Sequence, residues 1–188
     1  MKVITVHGFN VRDGGESTIG KIEPALSERH DVCDFDYGWI GLLGVKLFGK
    51  RIARNLSKQV TVGSVGIGHS NGCMELIRAC EYGAPFNHLI LINPALDNDI
   101  NIPINVSRVD VLHNIDDDVV TMAKWYPFSY WGDMGRVGYT GSDTRVHNHE
   151  TFSLFNVSGH SAVFSRADVV VNYIDDLIVE QASIKNGR

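Results

Sequence analysis

Cysteine is scarce. The chain has three, Cys33, Cys73 and Cys80, in 188 residues. An odd, sparse set without metal-ligand spacing excludes a disulfide framework and a zinc ribbon, and points to a reducing compartment. Positive charge is also short: 17 Lys and Arg against 22 Asp and Glu give a net charge of −5. That balance carries no electrostatic footprint for nucleic acid. No apolar run is long enough to span a bilayer. No charged segment leads into a long apolar stretch at the start, so no secretory leader is expected. Internal repeats, linkers and low-complexity tracts are missing too. What remains is the expectation of a soluble, cytoplasmic protein with one domain over residues 1–188. A chain of this length buries roughly 70% of its unfolded surface and holds a core without metal or disulfide.

Strand-like and helix-like segments alternate along the chain. Lys2–Val6 is an apolar, β-branched run that ends in His7-Gly8. Ser17–Arg29 reads as a helix, Asp31–Tyr37 as a weaker strand and Leu42–Gln59 as a second helix. Thr61–Ile67 reads as a strand, Asn71–Tyr82 as a helix, and His88–Ile92 and Val106–Leu112 as strands. A short helix is expected over Val119–Trp125, a last strand over Thr151–Val157 and a last helix over Ser161–Gln181. Continuous apolar strands in a βα series predict a mostly parallel sheet of about six strands, with helices on both faces. Cys73 and Cys80 lie seven apart on one helix and read as small core residues.

Ligands of such sheets bind past the carboxyl ends of the strands. The residues just past those ends are therefore the candidates for chemistry. After the first strand come His7, Gly8, Phe9 and Asn10. Ser70 follows the Thr61–Ile67 strand, in the stretch GHSNG. His113, Asn114, Asp116, Asp117 and Asp118 follow the Val106–Leu112 strand, and Ser158, Gly159 and His160 the last one. One sheet edge thus collects a serine, several acids and a histidine, in that order. A serine hydroxyl is a poor nucleophile until a base takes its proton, and histidine suits that task near neutral pH. A carboxylate on the far imidazole nitrogen fixes the tautomer and stabilises the imidazolium. Gly68 and Gly72 flank Ser70 because a tight strand-to-helix turn leaves no room for side chains there.

GHSNG matches the G-x-S-x-G nucleophile elbow of the α/β-hydrolase family, and the chain order Ser, acid, His is that of the family. With HGF after the first strand and His160 before the last helix, the sequence resembles that family over nearly its whole length. The resemblance implies Ser70 as nucleophile and His160 as general base. It implies the N–H groups of Asn71 and Phe9 as oxyanion donors, with His7 and Gly8 supporting that loop. Members often read G-x-x-D-x-V-V at the acid. Here Asn114 to Val120 stand in that place, which selects Asp117 and keeps Asp116 as the alternative. The implied activity is hydrolysis of carboxylic esters or thioesters through an acyl-enzyme, with no cofactor or metal. The competing reading is a catalytically silent binding module of the same fold, although such modules normally lose the nucleophile or the base.

The chain is short for the family, and its first residues already form the strand leading to HGF. The first two strands of larger members are therefore expected to be missing. Residues 93–105 are too few for a cap domain. An uncapped site suits exposed acyl esters on lipids, sugars or proteins. The stretch Tyr126–Glu150 reads as a long loop. Its Tyr126, Phe128, Tyr130, Trp131 and Tyr139 could wall the site, and Gly132, Gly135, Gly138 and Gly141 would let it move. His147, His149 and Glu150 lack the i, i+4 helical spacing of a zinc protease, so metal ligation is not expected. The basic side of the Leu42–Gln59 helix, with Lys46, Lys50, Arg51, Arg54 and Lys58, reads as a solvated face.

Overall fold

The computed structural model of the chain describes residues 1–120 and 131–187. Its centre is a six-stranded sheet. The strands are β1 (Lys2–Val6), β2 (Asp31–Asp34), β3 (Ser64–His69), β4 (Phe86–Ile92), β5 (Arg108–His113) and β6 (Val146–Glu150), in the spatial order β2-β1-β3-β4-β5-β6. Every pairing is parallel. Parallel neighbours need crossovers, and helices supply them.

Alternate residues of each strand feed two separate cores. Ile4, Val6, Leu89, Leu91, Val109 and Val111 face one side, against α2 (Leu42–Ser57) and α3 (Asn71–Glu81). Val3, Val65, Ile67, Ile90, Ile92 and Leu112 face the other, against α1 (Glu23–Ser27) and the long C-terminal helix α6 (Ala167–Asn186). This strict period of two is what an internal strand covered on both faces requires. Two short helices lie between, α4 (Met134–Val137) and α5 (Thr151–Phe155). Cys73 and Cys80 are buried in the first core, and burial pushes the Cys80 thiol up to about 12.

Several boundaries depart from the sequence reading. The helix expected over Ser17–Arg29 is a 3₁₀ turn, Ile19–Lys21, followed by α1. Pro24 in the first turn of α1 fits its lack of an N–H to the start of a helix. The last helix is likewise preceded by a 3₁₀ turn, Ala162–Arg166. The sixth strand is not Thr151–Val157 but Val146–Glu150, and Thr151–Phe155 is helical. Glu150 explains the switch. Its carboxylate accepts from the N–H of Phe152 and Ser153 at 3.0 and 2.7 Å, which caps the helix and ends the strand. The short helix expected over Val119–Trp125 lies, from residue 121 onward, outside the described residues.

Candidate active site

Ser70 sits between β3 and α3 with φ 55° and ψ −119°, a conformation that L residues rarely adopt. Such strain costs of order 1–3 kcal/mol and persists only where the surroundings impose it. They do so here. The Ser70 N–H donates to the Ile92 carbonyl at 3.0 Å, and its own carbonyl accepts from the N–H of Ala95 at 3.2 Å. A Cβ on Gly72 would stand 2.2 Å from the Val6 carbonyl oxygen, and one on Gly68 would stand 2.8 Å from the Cys73 nitrogen. The two glycines therefore let α3 start tight against β1. A Cβ on Gly8 would meet the Ser70 Cβ at 3.2 Å, so the end of β1 lies directly beside the serine.

His160 and Asp117 meet at the same edge. The His160 Nδ1 is 2.7 Å from the Asp117 Oδ2, and the Asp117 side chain is fully buried. Nδ1–H thus donates to the carboxylate, which leaves Nε2 as the basic nitrogen. Burial alone would raise the Asp117 carboxyl. The hydrogen bond and charge of His160 and the Asn93 amide, 3.0 Å away, outweigh it and hold the group below the usual carboxylate range. Asp116 faces elsewhere and accepts from the Ser158 hydroxyl at 2.8 Å.

Asn114 fastens this arrangement. Its amide donates to the Thr151 hydroxyl at 2.9 Å and to the Val157 carbonyl at 2.8 Å. Its side-chain oxygen accepts from the N–H of Asp116 and Gly159. One buried side chain thereby ties the acid turn after β5 to the loop that carries His160. A glycine, frequent there in the family pattern, could not. His69 supports His160 from below. Its Nε2 lies 3.3 Å from the His160 carbonyl oxygen, and its ring stands 4.9 Å from the His160 ring and 4.9 Å edge-on to Phe164. Burial pushes the His69 ring down to about 3, so it stays neutral.

The loop after β1 is held from outside. The His7 ring is buried, with Nδ1 2.8 Å from the Gly8 carbonyl oxygen and Nε2 3.0 Å from Asp36. Tyr37 stacks on it at 4.0 Å and donates its hydroxyl to the same Gly8 carbonyl at 2.6 Å. Phe9 packs 5.0 Å from Trp131, whose indole N–H donates to the Asn71 Oδ1 at 2.9 Å. Among the described residues, the backbone N–H groups of Phe9 and Asn71 have no protein acceptor. For Asn71 this follows from its place as the first residue of a helix.

Sequence reasoning passed over Asn93, Asp36 and Tyr37. Asn93 carried a signal, as a polar residue directly after the apolar run HLILI; in the fold it is buried, with φ 45°. The stretch Tyr126–Glu150 is corrected. Tyr126, Phe128 and Tyr130 lie outside the described residues. Two of its glycines are places of close approach: a Cβ on Gly132 would stand 2.4 Å from the Leu96 carbonyl oxygen, and one on Gly135 would stand 2.8 Å from the Asn93 carbonyl carbon. They let this segment pack against the loop after β4. Tyr139 belongs to the first core. Among the described residues, no cluster of His, Cys, Asp and Glu is arranged to hold a metal.

The fold these elements define is that of the α/β hydrolases. Solved structures that resemble it include mouse alpha/beta hydrolase domain-containing protein 10, with 17% identity, TM-score 0.61, and 95% of this chain and 90% of that chain covered. A pyrethroid hydrolase from Sphingobium faniae JZ-2 aligns at 13% identity and TM-score 0.58, over 97% of this chain and 99% of that one. The Paleococcus ferrophilus monoacylglycerol lipase aligns at 13% and 0.57, over 96% and 94%. No family model and no curated protein sequence matches the chain.

Proposed function

We propose that the protein is a serine hydrolase that cleaves carboxylic esters or thioesters through an acyl-enzyme on Ser70. The observation that carries this reading is the buried Asp117 carboxylate 2.7 Å from the His160 Nδ1, at the same sheet edge as a serine strained to φ 55°. In the reaction, His160 Nε2 takes the Ser70 proton as Oγ attacks the acyl carbonyl. The oxyanion forms between the N–H groups of Phe9 and Asn71, each worth roughly 3 kcal/mol in the transition state. His160 then protonates the leaving alcohol or thiol. A water deprotonated by His160 releases the acid and restores Ser70. The proton transfer requires the Ser70 hydroxyl within hydrogen-bond reach of His160 Nε2 once substrate is bound. Asn93 and Asn114 position the acid, and Tyr37, His7 and Gly8 position the Phe9 N–H.

Chromogenic esters of increasing acyl length test the proposal. Wild type turns over at least one of them, and Ser70→Ala loses about 10³-fold or more. Turnover unchanged in Ser70→Ala contradicts it.

A further inference from the structure

Helix α2 carries an outward stripe that the chemistry at Ser70 does not use. Leu47, Lys50, Arg51, Arg54 and Lys58 are spaced i, i+3, i+4, i+7 and i+11, so they share one side of the helix, and all are exposed. Ile52, Ala53 and Leu56, on the other side, are buried. Among the described residues none of these four cations pairs with a carboxylate. Arg54 instead lies 4.9 Å over the Tyr82 ring. Four cations on one stripe run against the chain's net charge of −5.

The stripe ends in exposed apolar groups. Trp39 is 55%, Leu47 63% and Phe48 49% exposed. Beside them a groove of about 600 Å³ opens between α2 and the segment after β2, lined by Phe35, Tyr37, Ile40, Phe48, Arg51 and Lys58 among others. Asp36, which also borders it, is engaged by His7. The groove's end is fixed by topology. Because β2 and β3 both run parallel to β1, α2 must return from the carboxyl edge of the sheet to the amino edge. Its first half therefore lies nearest Ser70. Trp39 confirms the proximity, since its indole N–H donates to the Asn10 Oδ1 at 2.8 Å, one residue from Phe9. Arg12 covers the Trp39 ring at 5.6 Å.

We infer that this face docks on an anionic lipid surface, with Trp39, Leu47 and Phe48 entering the headgroup boundary and Lys50, Arg51, Arg54 and Lys58 meeting the phosphates. The inference deepens the proposed hydrolase reading: the substrate class becomes acyl esters held in a membrane. An indole, a phenyl ring and a leucine beside cations suit the boundary between headgroups and acyl chains. A nucleic acid would use the cations and the rings, but would have no use for a leucine exposed as far as Leu47. Each cation near an anionic membrane strengthens binding by about fivefold, and salt screens the effect.

Co-sedimentation with vesicles tests the inference, on the Ser70→Ala protein so that catalysis plays no part. Partition onto vesicles of phosphatidylcholine mixed with phosphatidylserine should exceed partition onto phosphatidylcholine alone by about tenfold or more, and should fall with salt. The combined variant Lys50→Glu, Arg51→Glu, Arg54→Glu, Lys58→Glu should lose that preference. Leu47→Asp should weaken binding while turnover of a short soluble ester by the Ser70 enzyme stays unchanged. Equal partition onto both vesicles overturns the inference, and so does a charge-reversed variant that binds as before. Stronger retention on duplex DNA than on the anionic vesicles overturns it too. Vesicle binding by a protein that hydrolyses no ester would uphold the docking face and remove the substrate class.

Discussion

Gly72 offers the sharpest test of how the elbow is built. Its Cβ position lies 2.2 Å from the Val6 carbonyl oxygen and 2.5 Å from that of His7. Both obstacles are backbone, in the last residue of β1 and the residue after it, so no rotamer change relieves them. Gly72→Ala must push α3 and β1 apart by roughly 1 Å to reach ordinary contact. Overpacking of this kind costs about 3 kcal/mol. For a chain of this size that lowers Tm by about 6–12 °C in thermal unfolding followed by circular dichroism. The same push displaces His7, Gly8 and the Phe9 N–H, so ester turnover should fall as well. Gly83→Ala is the control. Gly83 has φ 87° and nothing within 4 Å of its Cβ position, so only backbone strain is added, about 1 kcal/mol and about 2–4 °C. A Gly72→Ala protein that melts within error of Gly83→Ala, with full turnover, would refute the close approach of α3 to β1.

Other substitutions separate the polar groups. Asp117→Asn should lower turnover about 10⁴-fold by presenting the wrong partner to the His160 Nδ1, while Asp116→Asn should stay within about twofold; equal losses would reassign the acid. Glu75 is buried, with Arg78 3.2 Å away, and burial pushes its carboxyl up to about 7 despite that partner. It binds its proton more tightly folded than unfolded, so its contribution to stability is full below pH about 4.5 and is lost as pH rises through about 7. His69 has the opposite sign. Its depressed value means stability present above pH about 6.5 and lost as pH falls toward 3. The His69 contribution cancels between wild type and Glu75→Gln. The variant should match wild type at pH 4.5 and gain up to about 3 kcal/mol by pH 8, as read by urea unfolding. A constant difference across that range would mean that Glu75 does not titrate in the folded protein.

The sheet was legible because its central strands are buried on both faces, and such strands read as unbroken apolar runs such as HLILI. The misread strand is the edge one. VHNHE has few apolar residues because an edge strand packs against one neighbour only, and polar partners occupy its side chains. His149 lies 2.7 Å from the buried Asp110, which also meets His88 at 2.6 Å and Arg108 at 2.7 Å. Asn148 instead bonds the Tyr139 backbone on both sides. TFSLF looked more like a strand by composition, but the Glu150 cap turns it into a helix. Ser70 and an acid after β5 stood out because they lie at strand ends, and His160 because it completes the chain order, although the segment before it is a helix and not a strand. Tyr37 and Asp36 act through contacts between segments distant in sequence, which no local pattern encodes. The glycines at 132 and 135 look like hinges in sequence, yet they are close-packing positions whose neighbours lie 35 to 42 residues away.

The most direct measurement is labelling with a fluorophosphonate, followed by intact mass and peptide mapping, on wild type, Ser70→Ala and His160→Ala. An activated serine gives one adduct, on Ser70, absent from both variants. A folded wild type that takes no adduct, or takes it elsewhere, would contradict the reading of Ser70 as a nucleophile and favour a silent binding module on the same fold.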